Sequence, residues 1–150
     1  MGQRFLAGYC RSELQPVNDG VMSRLNKVTL GMKKTIVLGA SENPSRYSYL
    51  AVERLRAHGH PVVAIGRQEG MIGDTTIQTG QPAVAEVDTV TLYLNPALQE
   101  AAYDYIIGLS PRRVIFNPGT ENEAFESLLR AKGIEPVEAC TLVMLAAGLY

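Results

Sequence analysis

The sequence predicts an α/β fold: a doubly wound parallel sheet of about five strands, in a single domain over residues 32–150. Three observations carry that expectation. Short continuous apolar runs recur along the chain, as in strands covered on both faces. Stretches with helical periodicity alternate with those runs. Gly, or an Asn-Pro step, punctuates the boundaries. Such alternation implies βαβ units with right-handed crossovers and a Rossmann-like sheet.

Residues 1–31 read differently. Phe5, Leu6, Val21, Met22, Leu25 and Val28 show no sustained period, and Pro16, Gly20 and Gly31 interrupt them. This stretch is expected to be a loosely ordered extension or an over-called start, with a short helix over 21–27 and Met32 as the domain start. From Lys33 the pattern is regular. Thr35 to Leu38 is the first strand, closed by Gly39. A helix over 46–58 carries Leu50, Ala51 and Leu55 on one face and stops at Gly59. Pro61 to Ile65 is the second strand, and 66–81 reads as a Gly-containing loop. Asp88 to Leu94 is the third strand. Asn95 then caps a helix with Pro96 at its first position, and Leu98, Ala101, Ala102, Tyr105, Ile106 and Leu109 form its apolar face. Arg113 to Phe116 is the fourth strand. Thr120 and Glu123 have capping-box spacing before a helix whose Phe125, Leu128 and Leu129 face inward. Ile134 to Val137 is the fifth strand, and the apolar stretch 140–149 closes the sheet as a short helix.

Composition narrows the function classes. The chain has 150 residues, 46% hydrophobic and 19% charged, which fits one globular domain. A net charge of -1 gives no electrostatic case for nucleic acid or an anionic membrane. The two cysteines, Cys10 and Cys140, form neither a disulfide framework nor a metal spacing, so a reducing, cytoplasmic setting is the default. No apolar run has the length of a membrane span. His58 and His60 flank a helix end without further ligands, so His58 is expected at the helix dipole rather than on a metal. Glu121, Glu123 and Glu126 read as a favourable first helical turn.

In a sheet of this kind the ligand crevice lies outside the carboxyl ends of the strands. The first such turn is Gly39-Ala40-Ser41-Glu42-Asn43-Pro44-Ser45-Arg46-Tyr47-Ser48. Gly39 permits a tight turn, the following helix offers unpaired N–H groups, Ser41 and Ser48 add hydroxyls, and Arg46 can fork onto a phosphate. The dinucleotide fingerprint is broken, because Ser41 and Pro44 stand where its second and third glycines belong. Arg67 follows the second strand where a ribose-binding carboxylate would stand, and suits a ribose phosphate instead. NAD is disfavoured, whereas coenzyme A and NADP both fit.

Gly39-Ala40-Ser41 with Pro44, Arg46, Ser48 and Tyr49 resembles the CoA-binding domain family, small proteins similar to the CoA-binding domain of the succinyl-CoA synthetase α subunit. The resemblance runs over about 33–141 and takes in Gly59, Val87-Asp88-Thr89-Val90, Gly119, Asn122, Gly133-Ile134 and Cys140. It implies that Ala40, Ser41, Arg46 and Ser48 hold the CoA phosphates and that Arg67 meets the adenosine-phosphate end. Asn95, Pro96, Asn117 and Gly119 then form pocket walls, and Cys140 reads either as a buried small hydrophobe or as a thiol near the sulfur end of the pantetheine arm. The sequence departs from the family pattern at Ile65-Gly66-Arg67 and at Asn117-Pro118-Gly119. The implied function is binding of coenzyme A or an acyl-CoA with no catalytic residue or metal. Two other readings stay open: an NADP-dependent oxidoreductase or other nucleotide-binding enzyme, and a regulatory subunit that uses the fold as a homo-oligomer or beside a CoA-using enzyme.

Overall fold

Strand β1 (Thr35–Ala40) is central because its residues alternate between two cores. Ile36 and Leu38 enter one apolar cluster and Val37 the other, as the two-residue period of a strand requires, and Ala40 joins Val37 because the register shifts after Leu38. The computed structural model describes residues 31–150. The expectations for 1–30, including the helix over 21–27, lie outside the described residues.

The chain runs from β1 into helix α1 (Tyr47–Ala57), β2 (Val62–Gly66), β3 (Gly70–Ile72), β4 (Thr75–Gln78) and β5 (Thr89–Leu92). Then follow α2 (Pro96–Gln99), a 3-10 turn (Glu100–Ala102), α3 (Tyr103–Leu109), β6 (Arg113–Phe116), α4 (Glu123–Ala131), β7 (Glu135–Glu138) and α5 (Thr141–Ala146). The sheet has seven strands in the order β3-β4-β2-β1-β5-β6-β7, and only β3 is antiparallel to its neighbour. The α/β, Rossmann-like expectation holds. The count of about five strands misses β3 and β4, which lie in the stretch read as a loop. They are three and four residues long and joined at Gly73-Asp74, too short for a period to register.

One face of the sheet is covered by the 3-10 turn, α3 and α4 through Ala102, Ile106, Phe125 and Leu129. Phe125 stacks on Tyr103 at 4.1 Å between ring centroids and meets Phe116 edge-on at 5.9 Å. The other face is covered by Val52 and Leu55 of α1 and Leu145 of α5, which pack on Val37, Ala64 and Ile77. These contacts confirm that the apolar stretch after β7 closes the sheet as a short helix.

Three local expectations are corrected. The helix after Asn95 is broken into two by the 3-10 turn, and Leu98 and Ala101 are exposed rather than on its inner face. Leu128 is 42% exposed, pointing away from the core that Phe125 and Leu129 fill. The cap of α4 is Asn122, whose Oδ1 accepts from Phe125 N, while the Thr120 hydroxyl donates to Asn117 O. The His58 ring does meet the end of its helix, with Nδ1 2.8 Å from Arg54 O.

Candidate functional site

β1 ends at a turn that sterics make specific. Gly39 has φ +100, and a Cβ there would lie 2.8 Å from Tyr93 O. Only glycine allows β1 to finish this close to the end of β5. On the other side a Cβ at Gly66 would collide with Ala40 O, so β1 and β2 also end in close contact. The register of β1 on β2 shifts between Leu38 and Ala40, which turns the chain out of the sheet.

The loop that follows holds its own shape. Asn43 N donates to Ser41 Oγ, Ser45 N to Asn43 Oδ1, and Arg46 N to Asn43 O. Glu42 reaches sideways, and its Oε2 accepts from Met71 N of β3 at 3.0 Å. Helix α1 then begins with Arg46 at its cap position. No side chain caps it, and its first turn carries no acidic residue. A guanidinium beside the positive end of a helix, with no carboxylate in the first helical turn, favours an anion there, although Glu42 and Glu69 also line the cleft. Arg46 and Arg67 form no ion pair among the described residues.

These segments enclose a cleft of about 960 Å³ at the carboxyl ends of β2, β1 and β5. Without the β3–β4 hairpin the strands run 2-1-3-4-5, so the chain reverses direction between β1 and β5, where an open α/β sheet leaves its ligand crevice. The cleft brings together Gly39, Ala40, Ser41, Arg46, Ser48, Arg67 and Asn95. Ser48 is buried on its floor and Arg46 and Arg67 are exposed. Asn95 caps α2, its Oδ1 accepting from Leu98 N at 3.0 Å, with Pro96 next to it as the sequence predicts.

The other named residues stand outside the cleft lining. Pro44 is exposed on the loop, and Tyr49 of α1 packs against the apolar cluster. Asn117 is 2% exposed and its amide is committed: Nδ2 donates to Thr91 Oγ1 and Leu92 O, and Oδ1 accepts from Thr141 N. Gly119 N donates to Glu121 Oε1. Cys140 is a half-buried free thiol at the start of α5, beside Tyr93.

Sequence reasoning missed Leu94 and Leu98 among the lining residues, whereas Tyr47 and Tyr93 read from the sequence as core or crevice wall. Tyr47 and Leu98 are 71% and 51% exposed, and Tyr93 and Leu94 form the wall that follows β5. The Tyr93 hydroxyl is buried without a hydrogen-bond partner, and burial pushes its pKa well above the usual tyrosine value. The signal for Leu94 and Leu98 was position alone: they belong to the segment that follows β5, where lining residues concentrate.

A family model described as CoA binding domain matches residues 33–146, most of the chain. The chain belongs to the CoA-binding domain family. Within that family's fold, a protein described only as uncharacterized, known from its crystal structure, is 55% identical, with 79% of this chain and 98% of that one covered and a TM-score of 0.78. Two more distant structures show the fold alone. One is cell-free ID.343 from Thermus thermophilus, 23% identical over 85% of this chain and 98% of its own, with a TM-score of 0.68. The other is a hypothetical protein from Pyrococcus horikoshii OT3, 20% identical over 92% and 98%, with a TM-score of 0.69. No curated protein matches the chain. Among the described residues no helix is long and apolar enough to cross a membrane, and no cluster of His, Cys, Asp and Glu could hold a metal ion.

Proposed function

We propose that this CoA-binding domain protein binds coenzyme A or an acyl-CoA in the cleft beyond β1. The observation that carries the reading is the uncapped start of α1, where Arg46 and the free end of the helix face a crevice with Arg67 on its far side. The pyrophosphate sits against Ser41, Arg46 and the first turn of α1, as anions do at helix N-termini. Arg67 takes the ribose phosphate, and Leu94 and Leu98 receive the pantetheine arm. A volume of about 960 Å³ lies near the upper end of ligand sites, roughly 300–1,000 Å³, as an extended ligand requires.

Calorimetric titration of one preparation with CoA, dephospho-CoA, NADP and NAD tests the reading. CoA is expected to bind best, with dephospho-CoA weaker through loss of the Arg67 contact. Arg46→Ala is expected to weaken CoA by roughly 1–3 kcal/mol, the scale of a hydrogen bond to a charged group. Preference for NADP would move the assignment to nucleotide chemistry. Equal or absent binding of all four would overturn it.

A further inference from the structure

We propose that Gln99 is the positioning residue for the apolar wall of the cleft. The inference rests on reading the cleft as the CoA site and concerns which side chain fixes its shape. Gln99 ends α2 and is fully buried, at 0% exposure. Its Nε2 donates to Leu94 O at 2.8 Å and to Thr120 O at 2.7 Å. Its Oε1 accepts from Asn122 Nδ2 at 3.0 Å. Asn122 Nδ2 also donates to Tyr103 Oη at 2.8 Å, and Asn122 Oδ1 caps α4. Both amide hydrogens and the acceptor of Gln99 are thus engaged, the condition under which a buried amide is tolerated.

The network has a consequence for the cleft. It joins the segment after β5, residues 94–99, to the turn after β6, residues 117–122. Leu94 and Leu98 line the cleft on one side of this joint. One is held directly through its carbonyl, and the other is the neighbour of Gln99 in the chain. The strand order sets Arg46 and Arg67 over β1 and β2 and this wall beyond β5, so phosphates and apolar arm lie at opposite ends. A side chain that places the wall acts on the arm and leaves the phosphate end alone.

The test uses two probes, CoA and adenosine 3′,5′-bisphosphate, which lacks the pantetheine arm. Gln99→Met is expected to weaken CoA by about tenfold, since three polar groups lose their partner and the segment is released. The bisphosphate is expected to change less than about twofold, because residues distant from the substitution keep their contacts. Amide hydrogen exchange of the ligand-free protein should quicken at Leu98 and Thr120 while Val37 and Leu38 in β1 hold. Where Gln99→Met does not fold, Gln99→Glu keeps the shape and replaces the amide nitrogen that donates to Leu94 O and Thr120 O, and the same split is expected. Equal losses for both probes, no loss for either, or unchanged exchange at Leu98 would overturn the proposal. An unaltered protein that binds neither probe would overturn the functional reading instead, and the exchange measurement would still decide the role of Gln99.

Discussion

Glu126 shows how much of a site or core is invisible residue by residue. In sequence it belongs to an acidic first turn, where a carboxylate is solvated and favoured by the helix dipole. In the structure its side chain is 7% exposed, with Oε2 buried and unpartnered. Oε1 lies 3.5 Å from Arg130 Nη2. Burial first, and then the neighbouring Glu138 carboxyl, raise its pKa above the ordinary 4.5. The neutral form is favoured in the fold, so its contribution to stability is full below pH 4.5 and is lost as pH rises through the raised value. Glu126→Gln is therefore expected to raise Tm at pH 7.5 by about 2–6 °C. The gain should shrink toward zero below pH 4.5; thermal melts of the two proteins at both pH values check it. Gln99 and Asn117 were equally opaque, because all the partners of their side chains but Leu94 lie 21 to 26 residues away. Gly39, Ser41 and Arg46 were legible because a turn and a helix start are local and leave their requirements in neighbouring residues.

At the scale of elements, the five strands that alternate with helices were legible and the β3–β4 hairpin was not. Long apolar runs announce themselves, whereas Thr75 to Gln78 shows its alternation of buried and exposed residues over only four positions. The Gly73-Asp74 step was a turn signal of the kind that joins hairpin strands, but the runs on either side were too short to give it weight. The hairpin matters because Glu42 ties the loop after β1 to it. Gly70 makes room for that tie: a Cβ there would lie 2.5 Å from the Glu42 side chain. Glu42→Ala is expected to speed exchange of the Met71 amide by at least about tenfold, the factor that corresponds to loss of one net hydrogen bond. Tm should move by less than about 3 °C, since the bond is exposed and local. Unchanged exchange at Met71 would mean that the loop stands without the tie.

Across the whole molecule, the two ends of the sheet do different work. The carboxyl ends open into the cleft. At the amino ends, Thr35, Thr89 and Arg113 begin β1, β5 and β6 and converge on Tyr150. The Tyr150 hydroxyl is 2.6 Å from Thr35 Oγ1, and the Arg113 guanidinium lies 4.5 Å over its ring, donates to Tyr150 O and reaches Thr89 Oγ1. His60 packs against the same ring and accepts from Lys33 N through Nδ1, a bond that requires an unprotonated nitrogen. Burial, then the charges of Lys33, His58 and Arg113, hold its pKa below the ordinary 6.5. The unfolded chain takes up the proton first, so this contribution is full above pH 6.5 and is lost as pH falls toward the lowered value. The Tm advantage of the unaltered protein over His60→Gln is expected to narrow between pH 7.5 and 5.5. A difference constant across that range would remove His60 from the account. Side-chain convergence of this sort joins positions up to 115 apart, which no periodicity reports. Among the described residues, the sheet's two margins are β3 and β7. At β7, Pro136 has no N–H to offer and Glu135 and Glu138 add charge. At β3, the Met71 N–H is already taken by Glu42. The carboxylate that steadies the loop after β1 thus also occupies a donor on that margin that a strand of another molecule would otherwise use.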